Sequence, residues 1–197
     1  MRFVLALLTI AITSSPAAAQ APADAPVWRP VVMGTYGMVA AEHPLEVMAG
    51  WEVLEGGGNA FDAATAVFYM TTVVEQHQAG MGGDAFIVAY VADQDRVVFI
   101  NGTGGAPALA TSEYFRELGG IPDAGPDATD VPGAVGGFDL ALKTFGTQSY
   151  ARVLAPAIRA AREGHPLDFW SSTYHQNNVE KTAPYPSSVG ILMPEGR

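Results

Sequence analysis

The chain has 197 residues, 20 acidic and 10 basic, for a net charge of -10, and it contains no cysteine. A field of that sign repels nucleic acid and anionic lipid, with no basic cluster to offset it, and the missing cysteines exclude a small disulfide-stapled module. Once a leader is set aside, roughly 175 residues remain, enough for one domain with its own core.

In chain order, Arg2 followed by an apolar run over residues 3–12 and the small residues Ala17-Ala18-Ala19 predicts a signal peptide over residues 1–20. The product is then periplasmic or secreted, with no membrane association after signal cleavage. Residues 21–33, rich in proline, read as an extended lead-in. Leu45, Met48, Ala49, Val53 and Leu54 recur at helical spacing over 44–55, and Gly56 is expected as the left-handed cap. Asn59 then stands where an N-cap belongs, with the Asp62 carboxylate in the first turn of a second helix over 60–74. That helix has almost no polar face, so it should be buried, and at about 15 residues it is too short for a confident membrane span.

After Gly80-Met81-Gly82-Gly83 the period changes to that of a hairpin, with strands near 86–91 and 96–100 and a polar turn at Asp93-Gln94-Asp95. Glycines preceded by a helix and followed by a strand reverse the order that a nucleotide loop requires. Further on, helices are predicted over 111–118, 134–145 and 150–163, the last capped by Gly164, with a loop of Pro, Gly and Asp over 123–132. The tail from 183 to 197 holds three prolines and two glycines and is expected to close no element.

His43, His77, His165 and His175 show no ligand spacing, which argues against a metal site; His43 and His77 fit element ends and His165 a helix cap. No Gly-x-Ser-x-Gly elbow is present. Thr71 and Thr72 fall inside the apolar helix and read as packing, and the run from Ser171 to His175 falls in a helical stretch. Asn101-Gly102-Thr103 matches a glycosylation sequon by coincidence. Its better reading is the turn that ends the second strand, with Gly102, Gly104 and Gly105 admitting close backbone approach. The glycine-rich stretch from Asp130 to Gly137 reads equally well as close helix packing or as part of a site.

Six segments then stand in one order: Gly37-Met38-Val39-Ala40-Ala41-Glu42-His43-Pro44-Leu45, Gly57-Gly58-Asn59-Ala60-Phe61-Asp62-Ala63-Ala64, Gly80-Met81-Gly82-Gly83-Asp84-Ala85-Phe86, Ala106-Pro107-Ala108, Val131-Pro132-Gly133-Ala134-Val135 and Leu154-Ala155-Pro156-Ala157-Ile158. In that order they resemble the N-terminal portion of the large subunit of the γ-glutamyltranspeptidase family, over residues 34–197. The resemblance implies an α+β fold of the N-terminal nucleophile hydrolase type, an αββα sandwich of which only the N-terminal part is present. It implies a precursor that cuts itself to expose a Thr, whose hydroxyl attacks a γ-glutamyl amide while its own α-amine acts as base. No metal or organic cofactor is implied. The partners implied are a small amide or γ-glutamyl substrate and the rest of the large subunit with the small subunit.

The family's Thr-Thr-His processing site does not occur in the chain, which therefore carries no catalytic residue of its own and is expected to be inactive alone, a piece of a longer protein. The Arg that holds a glutamyl α-carboxylate in the family, four residues before the Ala-Pro proline, is here Thr103. Losing that charge-assisted pair should weaken glutamyl binding on the order of ten- to hundredfold. The local Asn101-Gly102-Thr103-Gly104 is instead similar to relatives acting on other amides, such as oxamate or acyl amides. Two other readings stay open: a non-catalytic exported fragment that folds with a partner chain, and a binding module that uses the acidic surface.

Overall fold

A computed structural model describes residues 32–123 and 125–193. The chain divides into a unit ending at Gly34 and a second unit running from Thr35. The predicted signal peptide and most of the lead-in lie outside the described residues. Of the first unit, residues 32–34 are described and form no regular element.

The second unit holds α1 (Pro44–Glu55), α2 (Ala60–Val74), an antiparallel hairpin of β1 (Ala85–Val91) and β2 (Arg96–Gly102), then α3 (Ser112–Leu118), α4 (Ala134–Phe145), α5 (Tyr150–Glu163), α6 (Phe169–Asn177), α7 (Val179–Thr182) and α8 (Pro186–Leu192). Helix α2 packs against α1, α5 and α4, and α4 in turn covers one face of the hairpin. Ala49 and Val53 of α1, Ala63, Ala66, Met70 and Val74 of α2, Leu142 of α4 and Val153 of α5 form the core. Small side chains at Ala49, Ala63 and Ala66 let the helices approach closely, which is why an alanine-rich α2 sits at the centre.

The N-terminus of α2 shows how local sequence becomes tertiary structure. Asn59 Oδ1 accepts the N–H groups of Phe61 and Asp62, and Asp62 Oδ2 accepts the N–H of Asn59 at 2.8 Å, completing a reciprocal capping box. The same carboxylate, fully buried, also accepts from Thr147 N–H, the Thr147 hydroxyl and Gln148 N–H in the turn between α4 and α5. Asn59 Nδ2 donates to Phe145 O at 2.6 Å, and the Phe61 and Phe145 rings stack with centroids 4.7 Å apart. One tetrapeptide thus caps its own helix and clamps a turn 85 residues away.

In the hairpin Ala85 pairs with Gly102, Ile87 with Ile100 and Ala89 with Val98, so these residues share the face turned to α4. The opposite face carries Phe86, Val88, Tyr90, Val97 and Phe99, all exposed. The turn is a short 3-10 segment, Ala92–Gln94, followed by Asp95 at φ 44°, where its carboxylate accepts the Tyr90 hydroxyl at 2.8 Å.

Four expectations need correction. The left-handed residue after α1 is Gly57, at φ 85°, whereas Gly56, the C-cap, has φ -73° and ψ 5°. Helix α2 is not buried all round: Ala60 and Ala64 are exposed along an apolar groove of about 760 Å³ lined also by Met38, Val67 and Phe138. Strand β2 runs to Gly102, because Asn101 and Gly102 still pair with Phe86 and Ala85. The tail does close an element, α8, in which Pro186 occupies the first turn, where its missing N–H costs nothing.

Burial raises the Asp62 pKa, but the hydrogen bonds from Thr147, Asn59 and Gln148 outweigh it and hold the carboxyl below the ordinary range. A lowered folded-state value means that its stabilisation is present above the unfolded carboxylate range and is lost as pH falls through the folded value. Asp62→Ala should cost about 3 kcal/mol or more near neutral pH in urea unfolding of the full-length protein. The difference from wild type should shrink as pH falls below the ordinary carboxylate range and through the lowered value of Asp62. An unchanged unfolding midpoint at neutral pH would refute the clamp.

Candidate functional site

Three glycine-bearing segments converge at the end of the hairpin nearest the N-terminus of α4. Gly83 O accepts the N–H groups of Gly133 and Ala134 at 3.2 and 2.9 Å, which seats the start of α4 on the turn before β1. Gly102 is buried against Gly133 and Gly137, and a methyl group on Gly133 would lie 2.3 Å from Gly102 O. The crossing therefore requires glycine, and of the two readings of the Asp130–Gly137 stretch the structure displays the close packing.

Thr103 follows immediately and is exposed. Its N–H donates to Asn101 Oδ1 at 3.0 Å, a local turn of the kind that Asn favours, and Gly104 N–H donates to Asp84 Oδ1 at 2.9 Å. Val131 N–H reaches Gly105 O at 3.4 Å. The Asp130 carboxyl lies against that of Asp84. A hydrogen bond between the two carboxyls, then desolvation and their like charge, raise the pKa of Asp130 above the usual carboxylate range. The loop that presents Thr103 is thus held by the Gly104 N–H to Asp84 and Val131 N–H to Gly105 hydrogen bonds, with the Asp84 carboxylate rather than a cation at Gly104.

The hydroxyls considered for nucleophilic chemistry are engaged elsewhere. Thr71 donates to Val67 O at 3.0 Å and Thr72 to Tyr69 O at 2.8 Å, both within α2. In α6, Ser171 is buried beside the Asp168 cap, which accepts its N–H at 2.6 Å, and Ser172 Oγ accepts from Gln176 Nε2 at 3.3 Å. The Ser171 hydroxyl shares the Asp168 carboxylate that caps its own helix, and Thr71, Thr72 and Ser172 are not hydrogen-bonded to a histidine or carboxylate among the described residues. His43 is the N-cap of α1, its Nδ1 accepting Leu45 N–H at 3.1 Å. His165 lies just past Gly164 with Nε2 3.3 Å from Val73 O. His77 follows α2, its ring 4.8 Å from that of Tyr174.

Residues 47–197 match the sequence profile of the family described as Gamma-glutamyltranspeptidase. The chain belongs to the gamma-glutamyltranspeptidase family. It is 36% identical over 167 residues to the glutathione hydrolase-like YwrD proenzyme of Bacillus subtilis, covering 84% of this chain and 32% of that protein. Among solved structures, cephalosporin acylase from Bacillus halodurans superposes with a TM-score of 0.81 at 32% identity, over 96% of this chain and 35% of that one. Helicobacter pylori gamma-glutamyltranspeptidase gives 0.76 at 31% identity, over 81% and 47%. The chain spans about a third of the length of the curated relatives it matches. These solved relatives agree with a fold that mixes helix and strand.

Sequence reasoning located Thr103 and the glycine segments but missed the pairing of Asp84 with Asp130 and the anchoring of Gly104 by Asp84. Both join residues 20 or more positions apart, and the only local signal was an Asp that follows one glycine-rich run and precedes the other. The crossing can be tested with two alanines. Gly133→Ala should destabilise the protein by about 1–3 kcal/mol, since its methyl meets backbone that cannot move aside. Gly136→Ala, in open space within α4, should stabilise by about 0.5–1 kcal/mol. Equal effects of the two on the thermal midpoint would contradict the packing.

Proposed function

We propose that the chain is the N-terminal part of the large-subunit half of an exported, self-processing amide hydrolase or transferase. Its nucleophile is a Thr outside these 197 residues. Membership of the family supports a hydrolase or transferase role, and relatives named as proenzymes support processing. The complete protein would have the αββα sandwich of N-terminal nucleophile hydrolases. The exposed apolar face of the hairpin, with Phe86 and Phe99 stacked 6.2 Å apart on it, suits burial under further strands of that sandwich. Export would follow from the signal peptide read over residues 1–20, and alone the chain would be inactive.

In the mechanism proposed for the complete protein, the new N-terminal Thr attacks the substrate carbonyl and its α-amine takes the hydroxyl proton. The amine portion leaves, and water or an acceptor amine takes the acyl group. The substrate is a γ-glutamyl or related amide, and the Thr103 loop favours a related, non-glutamyl acyl amide. One observation carries that preference: where a glutamyl α-carboxylate would need a cation, the loop offers the neutral side chain of Thr103, and the next residue, Gly104, donates its N–H to the Asp84 carboxylate at 2.9 Å. A carboxylate entering there would meet like charge. Similarity to a cephalosporin acylase supports the same direction.

The test compares γ-glutamyl-p-nitroanilide with butyryl-p-nitroanilide, which shares the amide and lacks both α-substituents, using the full-length processed protein. Wild type should show no preference for the glutamyl compound in kcat/KM, and Thr103→Arg should raise its turnover of that compound by about tenfold or more. Strong glutamyl preference in wild type that Thr103→Arg diminishes would overturn the substrate reading.

A further inference from the structure

Strand β2 hands the chain over to the Thr103 loop at a defined point, and the residue that defines it stands on the other side of the hairpin. The observed register ends where Gly102 pairs with Ala85. Carried on, it would set Gly104 opposite Gly83. The Gly83 carbonyl is already taken, since it accepts the N–H groups of Gly133 and Ala134 at the start of α4. Gly104 N–H donates instead to Asp84 Oδ1 at 2.9 Å, so a side chain closes the ladder in place of main chain.

Thr103 stands between two such bonds. Its own N–H donates to Asn101 Oδ1 at 3.0 Å, a bond within the turn that travels with it. The Asp84 bond reaches 20 positions back and ties the loop to the start of β1. On its other side Gly104 lies against the main chain of Val131, so closely that a Cβ at 104 would overlap the Val131 carbonyl. Main chain at 104 is therefore held between that carbonyl and the Asp84 carboxylate, and the exposed Thr103 beside it is set with it.

We propose that Asp84 is a positioning residue for substrate selection: through Gly104 N–H it fixes where the side chain at 103 stands, and so how that side chain meets the acyl part of the substrate. The proposal rests on the reading that the Thr103 loop faces that acyl part. Asp84 itself touches no substrate and acts only through the loop. A carboxylate suits the task, because its bond to an N–H is stronger than a neutral acceptor's and keeps an exposed loop in place against competing water. Its position suits the task as well. Asp84 directly follows the Gly83 carbonyl that seats α4, so α4, β1 and the loop all take their placement from two adjacent residues. A group displaced by about 1 Å costs a reaction on the order of a hundredfold where orientation carries the rate, so a loop tied at this one distant point is sensitive to losing it.

The experiment uses the full-length protein, with rates expressed per cleaved chain as counted by intact mass. In the Thr103→Arg protein, which the substrate reading expects to gain glutamyl turnover, adding Asp84→Ala should lower kcat/KM for γ-glutamyl-p-nitroanilide about tenfold or more, chiefly through KM. Asp84→Asn keeps an oxygen facing Gly104 N–H and should retain the gain to within about threefold. Hydrogen–deuterium exchange over peptides covering residues 101–107 gives a readout that needs no substrate. Exchange there should quicken about fivefold or more in Asp84→Ala and stay near wild type in Asp84→Asn. Unchanged exchange in Asp84→Ala, or a Thr103→Arg gain that survives Asp84→Ala, overturns the proposal and leaves the substrate reading standing. A Thr103→Arg protein that gains no glutamyl turnover overturns the substrate reading and the proposal with it.

Discussion

The buried Asp62 carboxylate is the constraint on which the arrangement depends. A charge taken out of water must be repaid with hydrogen bonds, and here the donors come from its own helix start and from the turn between α4 and α5. Satisfying it fixes where α4 ends and α5 begins relative to α2. The rest follows by packing: Leu142 and Val153 reach the α1–α2 core, and α4 is held at the angle that lets its N-terminal glycines meet the hairpin. A single buried anion thereby links the helical core to the loop that displays Thr103.

Much of this was legible in the sequence where the signal is local. The bounds expected for α1, α2, α4 and α5 coincide with those observed, where apolar residues at helical spacing and caps such as Asn59 and Gly164 mark the elements. The capping half of Asp62 was readable from its spacing to Asn59. Its other half was not, since nothing in Phe145-Gly146-Thr147-Gln148 announces a partner 85 residues earlier. Helix α8 was missed because Pro186 and Gly190 read as breakers, although a proline in the first turn costs nothing. The left-handed position was displaced by one residue, which a run of three glycines leaves undetermined until tertiary contacts choose.

The site shows the same division. Family segments and the position of Thr103 could be read along the chain, whereas the electrostatics around it could not. Asp84 and Asp130 are unremarkable singly and become informative only when the Gly83–Gly133 contact brings their loops together. The glycines set the backbone, and the backbone then places the like charges together.

The central claim is that this chain serves a hydrolase that makes its own nucleophile by self-cleavage. Intact-mass spectrometry with N-terminal sequencing of the purified full-length protein tests it most directly. The account predicts two fragments, the larger containing all of the mature residues described above and the smaller beginning with Thr. A single uncut chain after prolonged incubation, or a smaller fragment beginning with any other residue, would contradict it.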